Sequence, residues 1–198
     1  MDCPRSPALR DFRGRDALIA AIDEAIAKPD TADTARALCA SLERMIANRE
    51  LELPEHVLQP VTGHYARREL YRSPRHGYGV IAMTWGPGQG TPIHDHAGMW
   101  CVEAVYHGCI EIDQYDLRER SGDACRFRHA GTIRAGCASA GSLIPPYEYH
   151  TIRNPSTDEV AVSLHIYQGA MTSCGVFAEA DDGWHRYVEK QLVLDEAA

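Results

Sequence analysis

GQGTPIHDHAGMWCVEAVYHG, residues 88–108, holds two histidines one residue apart in a short extended run bounded by glycine and proline. Side chains two positions apart in a β-strand point to the same face, so His94 and His96 face one side and Asp95 the other. Two neutral imidazoles that converge in this way suit Fe, Cu, Ni or Zn. The spacing alone leaves open whether Cys101 is a ligand, a nucleophile or a buried apolar side chain.

Short β-branched and aromatic runs, separated by glycine and proline, surround this stretch. They are YGVIAMTW (78–85), MWCVEAVYHG (99–108), CIEIDQYDL (109–117), GTIRAG (131–136), GSLIPP (141–146), HTIRN (150–154) and VAVSLHIYQ (160–168). Such runs predict a mainly β protein, an antiparallel barrel or jelly roll. The segment that begins AEADDGWHRYVEK (178–190) leaves strand and helix open.

Before residue 62 the apolar spacing is helical instead. Residues 16–27 carry apolar side chains at helical intervals, and a second helix follows, for which Thr31 or Thr34 is the predicted N-cap. A short third helix is predicted over 52–58. We therefore expect one structural domain, in which a helical segment (1–61) packs on a barrel (62–198).

Charge and cysteine content limit the partners. The chain of 198 residues has 28 acidic and 20 basic residues, a formal net charge of -8, which disfavours nucleic acid and anionic membranes as partners. The seven cysteines never form a CxxC pair, and the start of the chain lacks the apolar core of a signal peptide. These features predict a cytoplasmic protein with reduced thiols.

The spacing of the quoted segment resembles the first motif of the cupin superfamily. The motif runs Gly88, five residues, His94, one residue, His96, four residues, position 101, six residues, Gly108. Cupins usually carry glutamate where this chain has Cys101. Their second motif ends in proline, histidine and asparagine, and it resembles Pro146, His150 and Asn154. The resemblance implies a single-domain cupin with a metal site made of His94, His96 and His150.

Within the cupins, the chain resembles the thiol dioxygenases, cysteine dioxygenase above all, over nearly all of its length. The matching positions are Tyr65 and Arg67 in Y-x-R, His94, His96 and Cys101 in H-D-H-x4-C, then His150, then Ser163, His165 and Tyr167 in S-x-H-x-Y, and Cys174. Relatives that prefer 3-mercaptopropionate place glutamine at position 67 and usually glycine at position 101. The residues found here therefore point to an arginine-type, bacterial-like member that acts on an amino-acid thiol.

The resemblance implies that Fe(II) is the cofactor and that both atoms of O2 are added to the sulfur of L-cysteine. Three neutral histidines leave the ion with its full charge, and a substrate thiolate can supply the missing negative charge. Other small thiol carboxylates, 3-mercaptopropionate and mercaptosuccinate, remain alternative substrates. A metal-binding cupin of non-oxygenase function is the alternative from a different class.

Substrate recognition is expected to depend on the Y-x-R element. A guanidinium offers a planar, bidentate fit to a carboxylate, so Arg67 is the predicted anchor, with Tyr65 and Cys174 in the pocket wall by resemblance. The neighbouring Arg68 would point to the opposite face of an extended segment, and it remains an alternative.

The S-x-H-x-Y element is expected to act around the metal. By resemblance, Tyr167 places its phenol near the iron, His165 orients it and Ser163 holds His165. In the family, the cysteine that matches Cys101 forms a thioether with the tyrosine that matches Tyr167, so we predict this crosslink here.

Glu103 shares the strand face of Cys101 and has to be considered as a displaced carboxylate ligand. It lies roughly 6.6 Å further along a strand, too far for such a substitution without a bulge. We therefore predict no metal role for it, and expect a monomer or weak homo-oligomer that acts on a small-molecule thiol and O2.

Overall fold

The structure is a computed structural model, and it describes residues 11–195. Two helices come first, α1 (Arg15–Ile26) and α2 (Thr31–Ala47), followed by a 3-10 turn at Glu55–Leu58. The strands are β1 (Ala66–Arg72), β2 (Gly79–Trp85), β3 (Ile93–His94), β4 (Cys101–His107), β5 (Cys109–Ser121), β6 (Ala124–Gly136), β7 (Ala140–Leu143), β8 (His150–Arg153), β9 (Ala161–Tyr167), β10 (Ser173–Glu179) and β11 (His185–Gln191). A second 3-10 turn, Asp181–Gly183, joins the last two strands.

Helix α2 is capped by an aspartate and not by a threonine. Asp30 has an extended backbone, and its carboxylate accepts a hydrogen bond from the Asp33 N–H at 2.7 Å. The predicted cap at Thr31 or Thr34 is therefore wrong, because Asp30 already supplies the acceptor that the first turn needs. Thr34 instead donates its hydroxyl to the Ala25 carbonyl at 3.1 Å, which ties α2 to α1.

All the strands pair antiparallel, in two sheets. The first has the order β1-β2-β9-β4-β7, and the second closes on itself in the order β10-β11-β6-β5-β8-β3. Inward side chains of both sheets share one apolar cluster, which includes Trp85, Val105, Ile110 and Ile152. The predicted mainly β class with N-terminal helices is confirmed.

The two helices cover the outer face of the first sheet. Leu38 and Leu42 of α2 belong to the same buried cluster as Val102 of β4 and Leu164 of β9. Because side chains alternate along each strand, Cys101 and its inward neighbours lie on the other face, between the two sheets. The proposed boundary between 1–61 and 62–198 stays a prediction, and residues 1–10 and 196–198 lie outside the described range.

Three strands were missed or left open by the sequence patterns. Strand β1 is interrupted by the charged residues of ARRELYR, and β10 is interrupted by Gly175, so neither shows a continuous run of apolar β-formers. The segment left open between strand and helix forms β11, which pairs along its whole length with β10. Within residues 11–195, no helix is long and apolar enough to cross a membrane.

Candidate metal centre

Three histidines converge on the inner side of the barrel. His94 on β3 is the direct cross-strand partner of His150 on β8, and His96 follows two residues after His94. Their ring centroids lie 4.3 Å (His94 to His150), 5.1 Å (His96 to His150) and 5.5 Å (His94 to His96) apart. One nitrogen from each ring lies within 4.8 Å of the other two, an arrangement that can hold one metal ion.

Backbone carbonyls fix the orientation of two of these rings. Nδ1 of His94 lies 3.1 Å from the Pro92 carbonyl oxygen, and Nδ1 of His150 lies 2.8 Å from that of Glu148. A carbonyl only accepts, so each Nδ1 carries the proton and each Nε2 keeps its lone pair for a ligand. Nε2 of His150 is fully buried and has no hydrogen-bond partner, which is expected of an atom that faces a metal ion.

The electrostatics favour neutral rings. Burial, together with the neighbouring His150, lowers the pKa of His94 to about 3 and the pKa of His96 well below its usual value. Neutral imidazole is the form that ligates metal, and a set of three such rings suits Fe, Cu, Ni or Zn. The residues present therefore fit a divalent transition-metal ion.

A chain of polar contacts runs along β9 beside the histidines. The Trp85 indole N–H donates to Ser163 Oγ at 2.9 Å, and Ser163 Oγ lies 2.7 Å from Nε2 of His165. Nδ1 of His165 lies 3.1 Å from a Glu103 carboxylate oxygen, which can only accept, so neutral His165 carries its proton on Nδ1 and Nε2 accepts from the Ser163 hydroxyl. That Nδ1 lies 3.4 Å from the hydroxyl of Tyr167, so the chain sets the orientation of the phenol.

Cys101 and Tyr167 lie directly opposite each other. They are cross-strand partners in the β4 and β9 pair, and both are buried. Burial raises the pKa values of the thiol and the phenol well above their usual ranges. The ring of Tyr167 also lies 5.8 Å, centroid to centroid, from that of His96, so the pair borders the metal centre.

The two adjacent arginines of β1 point in opposite directions. The guanidinium of Arg67 donates to the carbonyls of Met171 and Val193, at 3.3 and 3.4 Å, on the inner side. The guanidinium of Arg68 donates to Thr84 Oγ1 at 3.0 Å and to the Gln59 carbonyl at 2.9 Å. Burial raises the pKa values of Tyr167, Tyr65 and Cys174, and the positive charge of Arg67 opposes that rise in all three, so Arg67 is the arginine that lies beside the predicted site.

The protein's family follows from comparisons with known proteins. A family model described as "Cysteine dioxygenase type I" matches residues 63–180. The chain belongs to this family. The matched range contains every candidate site residue named above, from Tyr65 to Cys174.

Curated members of the cysteine dioxygenase family resemble the chain over part of their length. "Cysteine dioxygenase type 1" of Rattus norvegicus is 27% identical over 121 residues, which cover 57% of this chain and 59% of the rat protein. The protein of the same name from Homo sapiens is 26% identical over the same lengths. The chain thus spans about three fifths of these relatives.

Solved structures of low similarity were also found. A Klebsiella pneumoniae protein with a double-stranded β-helix domain has 15% identity and a TM-score of 0.44, covering 57% of this chain and 79% of its own. An oxalate oxidase has 15% identity and a TM-score of 0.42, covering 59% of each chain.

Two further candidate residues flank the phenol. Tyr65 stacks on Trp85 with ring centroids 4.5 Å apart, so it buttresses the start of the polar chain on β9. Cys174 on β10 is buried, and burial raises the pKa of its thiol to about 11, so it is a neutral, apolar wall at neutral pH. The structure thus brings all the predicted site residues to the inner face or its immediate border.

Glu103 is the residue that sequence reasoning set aside. Its Oε1 lies 3.1 Å from Nδ1 of His165, 3.5 Å from Nε2 of His150 and 3.9 Å from Sγ of Cys101. The strand is not bulged between Cys101 and Glu103; the long side chain reaches the site from the next inward position. The sequence did indicate that Glu103 faces the same side of its strand as Cys101. The distance along the backbone, however, does not include the length of the glutamate side chain, which brings the carboxylate to the site.

Asp95 takes a structural position on the other side of its strand. Its carboxylate accepts hydrogen bonds from the backbone N–H groups of Gly175, at 2.7 Å, and Ala97, at 3.0 Å. A Cβ atom at Gly175 would collide with Asp95 and with Tyr187, so glycine is required there. This contact joins the histidine segment to β10.

Proposed function

We propose that the protein is an Fe(II)-dependent thiol dioxygenase that converts L-cysteine to cysteine sulfinate. Both oxygen atoms of O2 are added to one sulfur, so the thiol is oxidised by four electrons and O2 is consumed without another reductant. The observation that carries the proposal is the direct pairing of Cys101 with Tyr167 beside three convergent histidines. A metal-binding cupin of non-oxygenase function does not need this pair or the polar chain behind it.

In this proposal His94, His96 and His150 hold the iron. The bound ion would lower the pKa of the substrate thiol and supply the redox chemistry with O2. Arg67 binds the substrate carboxylate through its planar fork, which the two carbonyl contacts keep on the inner side. Tyr65 and Cys174 form the wall beside it.

The remaining residues act on a proton and on orientation. Ser163 and His165 hold the phenol of Tyr167 in place, and His165 Nδ1–H lies 3.1 Å from Glu103 and 3.4 Å from the Tyr167 oxygen. Cys101, joined to Tyr167 by a thioether, would fix the ring permanently. The proposal includes a cytoplasmic location and a monomer or weak homo-oligomer, with a small thiol and O2 as the only partners needed.

Oxygen consumption tests the proposal directly. Protein loaded with Fe(II) under anaerobic conditions is mixed with aerated L-cysteine, 3-mercaptopropionate, cysteamine or mercaptosuccinate, and O2 uptake and sulfinate are measured. We expect one O2 per sulfinate, with L-cysteine the preferred substrate. No O2 uptake with any of the four thiols by protein of full iron content would refute oxygenase activity. A preference for another of these thiols would make that thiol, in place of L-cysteine, the proposed substrate.

A further inference from the structure

Glu103 is a buried carboxylate without a cationic side chain to balance it. Its exposed fraction is 6%, and within residues 11–195 no lysine or arginine nitrogen lies within 4.0 Å of it. Its contacts are two imidazole nitrogens and one thiol. All three contacts are made by Oε1, which leaves Oε2 of this buried carboxylate to accept a hydrogen bond from a bound molecule.

Arg67 is a buried cation without a carboxylate side chain among residues 11–195 to balance it. Its side chain is buried, and its guanidinium meets two backbone carbonyls but no carboxylate in the described part of the chain. Two buried, opposite charges therefore belong to one site without pairing with each other. Each is free to pair with an opposite charge on a ligand.

The sheet places the two charges on either side of the phenol. Arg67 on β1 is opposite Met83 on β2, which is opposite Ser163 on β9, while Glu103 on β4 is opposite His165 on β9. The two strands that carry the charges are thus three strand intervals apart, about 14 Å between backbones, on the same inner face. Both charges act on Tyr167: burial raises the pKa of its phenol, Glu103 adds to that rise and Arg67 opposes it.

Open space lies beside Glu103. Glu103 lines a cavity of about 190 Å³ between β4 and β7 on one side and β5 and β6 on the other. The other walls include the apolar side chains of Ile110, Ile112 and Leu143 and the amide of Gln114. Arg134 also lines the cavity, so Glu103 is the anionic residue of a mostly apolar lining that holds one cationic residue as well.

We propose that Glu103 is a specificity-determining residue that accepts a hydrogen bond from the substrate amino group, so that the site selects zwitterionic α-amino thiols. The inference rests on the proposed function, and it assigns the two charged ends of the substrate to Arg67 and Glu103. A thiol with a carboxylate but no amino group leaves Glu103 unpaired. A dicarboxylate thiol places a second negative charge in reach of Glu103 and is repelled.

The substitution Glu103→Gln keeps the shape of the side chain and removes its charge. We expect kcat/KM for L-cysteine to fall about tenfold or more, the effect of losing a charged hydrogen bond, while kcat/KM for 3-mercaptopropionate changes less than about threefold. Glu111→Gln is the matched control, because Glu111 lies on the same kind of strand but pairs with Arg153 outside the cavity. Glu103→Asp, which retains the charge, should keep part of the preference.

Binding gives a second measurement that does not need turnover. Anaerobic calorimetry on the Fe(II)-loaded protein should show that Glu103→Gln lowers the affinity for L-cysteine about tenfold. The affinity for 3-mercaptopropionate should change little, and the iron content should not change. Equal losses for both ligands, an unchanged preference, or loss of iron would overturn the proposal, the last by assigning Glu103 to the metal. If Glu103→Gln does not fold, the wild-type protein provides the test. Its affinity should be highest for cysteine, lower for 3-mercaptopropionate and lowest for mercaptosuccinate, and any other order would overturn the proposal.

The two proposals fail in distinguishable ways. Absence of O2 uptake with all thiols refutes the oxygenase function, yet the binding preference can still support the role of Glu103. Oxygenase activity without a preference for the amino group refutes the role of Glu103 alone.

Discussion

At the scale of single residues, the chemistry concentrates on a thiol and a phenol that face each other across two strands. Cys101 and Tyr167 are buried, lie in register, and have pKa values raised well above their usual ranges. Neither group is therefore an anion at neutral pH in the metal-free protein. In the proposed function, the iron held by the three histidines would convert this contact into a bond.

Turnover should join these two side chains. Formation of the thioether breaks the thiol S–H and one ring C–H bond, and the two electrons and two protons pass to O2, which becomes H2O2. We expect the intact mass of wild-type protein to fall by two hydrogens after incubation with Fe(II), thiol and O2. Cys101→Ala should show no such loss, whereas Cys137→Ala, at an exposed position, should behave as wild type. An unchanged wild-type mass after many turnovers would contradict the prediction.

The metal-free protein should lose stability in mild acid. His94 has a pKa of about 3 in the folded state, lowered from 6.5, so between these values the unfolded chain binds a proton that the folded protein does not. The free energy of unfolding therefore decreases as the pH falls from about 6.5 towards 3. Urea unfolding at several pH values measures how the free energy of unfolding changes with pH. This change should be smaller in His94→Asn than in the wild type, and an equal change in both would contradict the prediction.

At the scale of the elements, alternation along strands explains most of what the sequence could predict. Ser163, His165 and Tyr167 are two residues apart within β9, so one correct strand assignment orients all three, whereas β3 ends at His94 and His96 lies beyond it. The reach of Glu103 could not be predicted, because it depends on the side-chain conformation and on β9 lying beside β4. Strands β1 and β10 were missed because charged residues or glycine interrupt their apolar pattern.

Strand β1 provides a direct comparison between neighbours. Arg67→Lys should raise KM for a thiol carboxylate roughly tenfold or more with a smaller change in kcat, because an ammonium loses the bidentate fit. Arg68→Lys should leave KM nearly unchanged and lower stability instead, since Arg68 holds Thr84 and the Gln59 carbonyl. Steady-state kinetics and urea unfolding of both variants separate the two effects; the reverse pattern would assign the carboxylate to Arg68.

At the scale of the whole molecule, the helices support the site from behind. The outer face of the first sheet is buried under α1 and α2, while the inner face carries the polar groups. The class of fold was predictable because strand runs and helical runs occupy separate parts of the sequence. The closure of the second sheet through β3 and β10 could not be predicted, because β3 is only two residues long.

Removing a contact from the helical layer should destabilise the protein while sparing its chemistry. Leu42 of α2 is 1% exposed within the cluster that joins the helix to β4 and β9. Leu42→Ala should lower the free energy of unfolding by about 2 to 5 kcal/mol. Metal content and kcat of the folded fraction should stay within about twofold of wild type at low temperature. A large loss of kcat at full metal content would mean that the layer also controls the site.

The pairing of Cys101 with Tyr167 has a consequence for the durability of the protein. A bond between them would link two central strands and close the long loop from residue 101 to residue 167 in the unfolded chain. By analogy with disulfides, such a closure stabilises the folded state by roughly 4 kcal/mol. Protein that has turned over should therefore melt at a higher temperature than freshly made protein, and Cys101→Ala should not gain this increase. An enzyme of this design would gain thermal stability from its own first reactions.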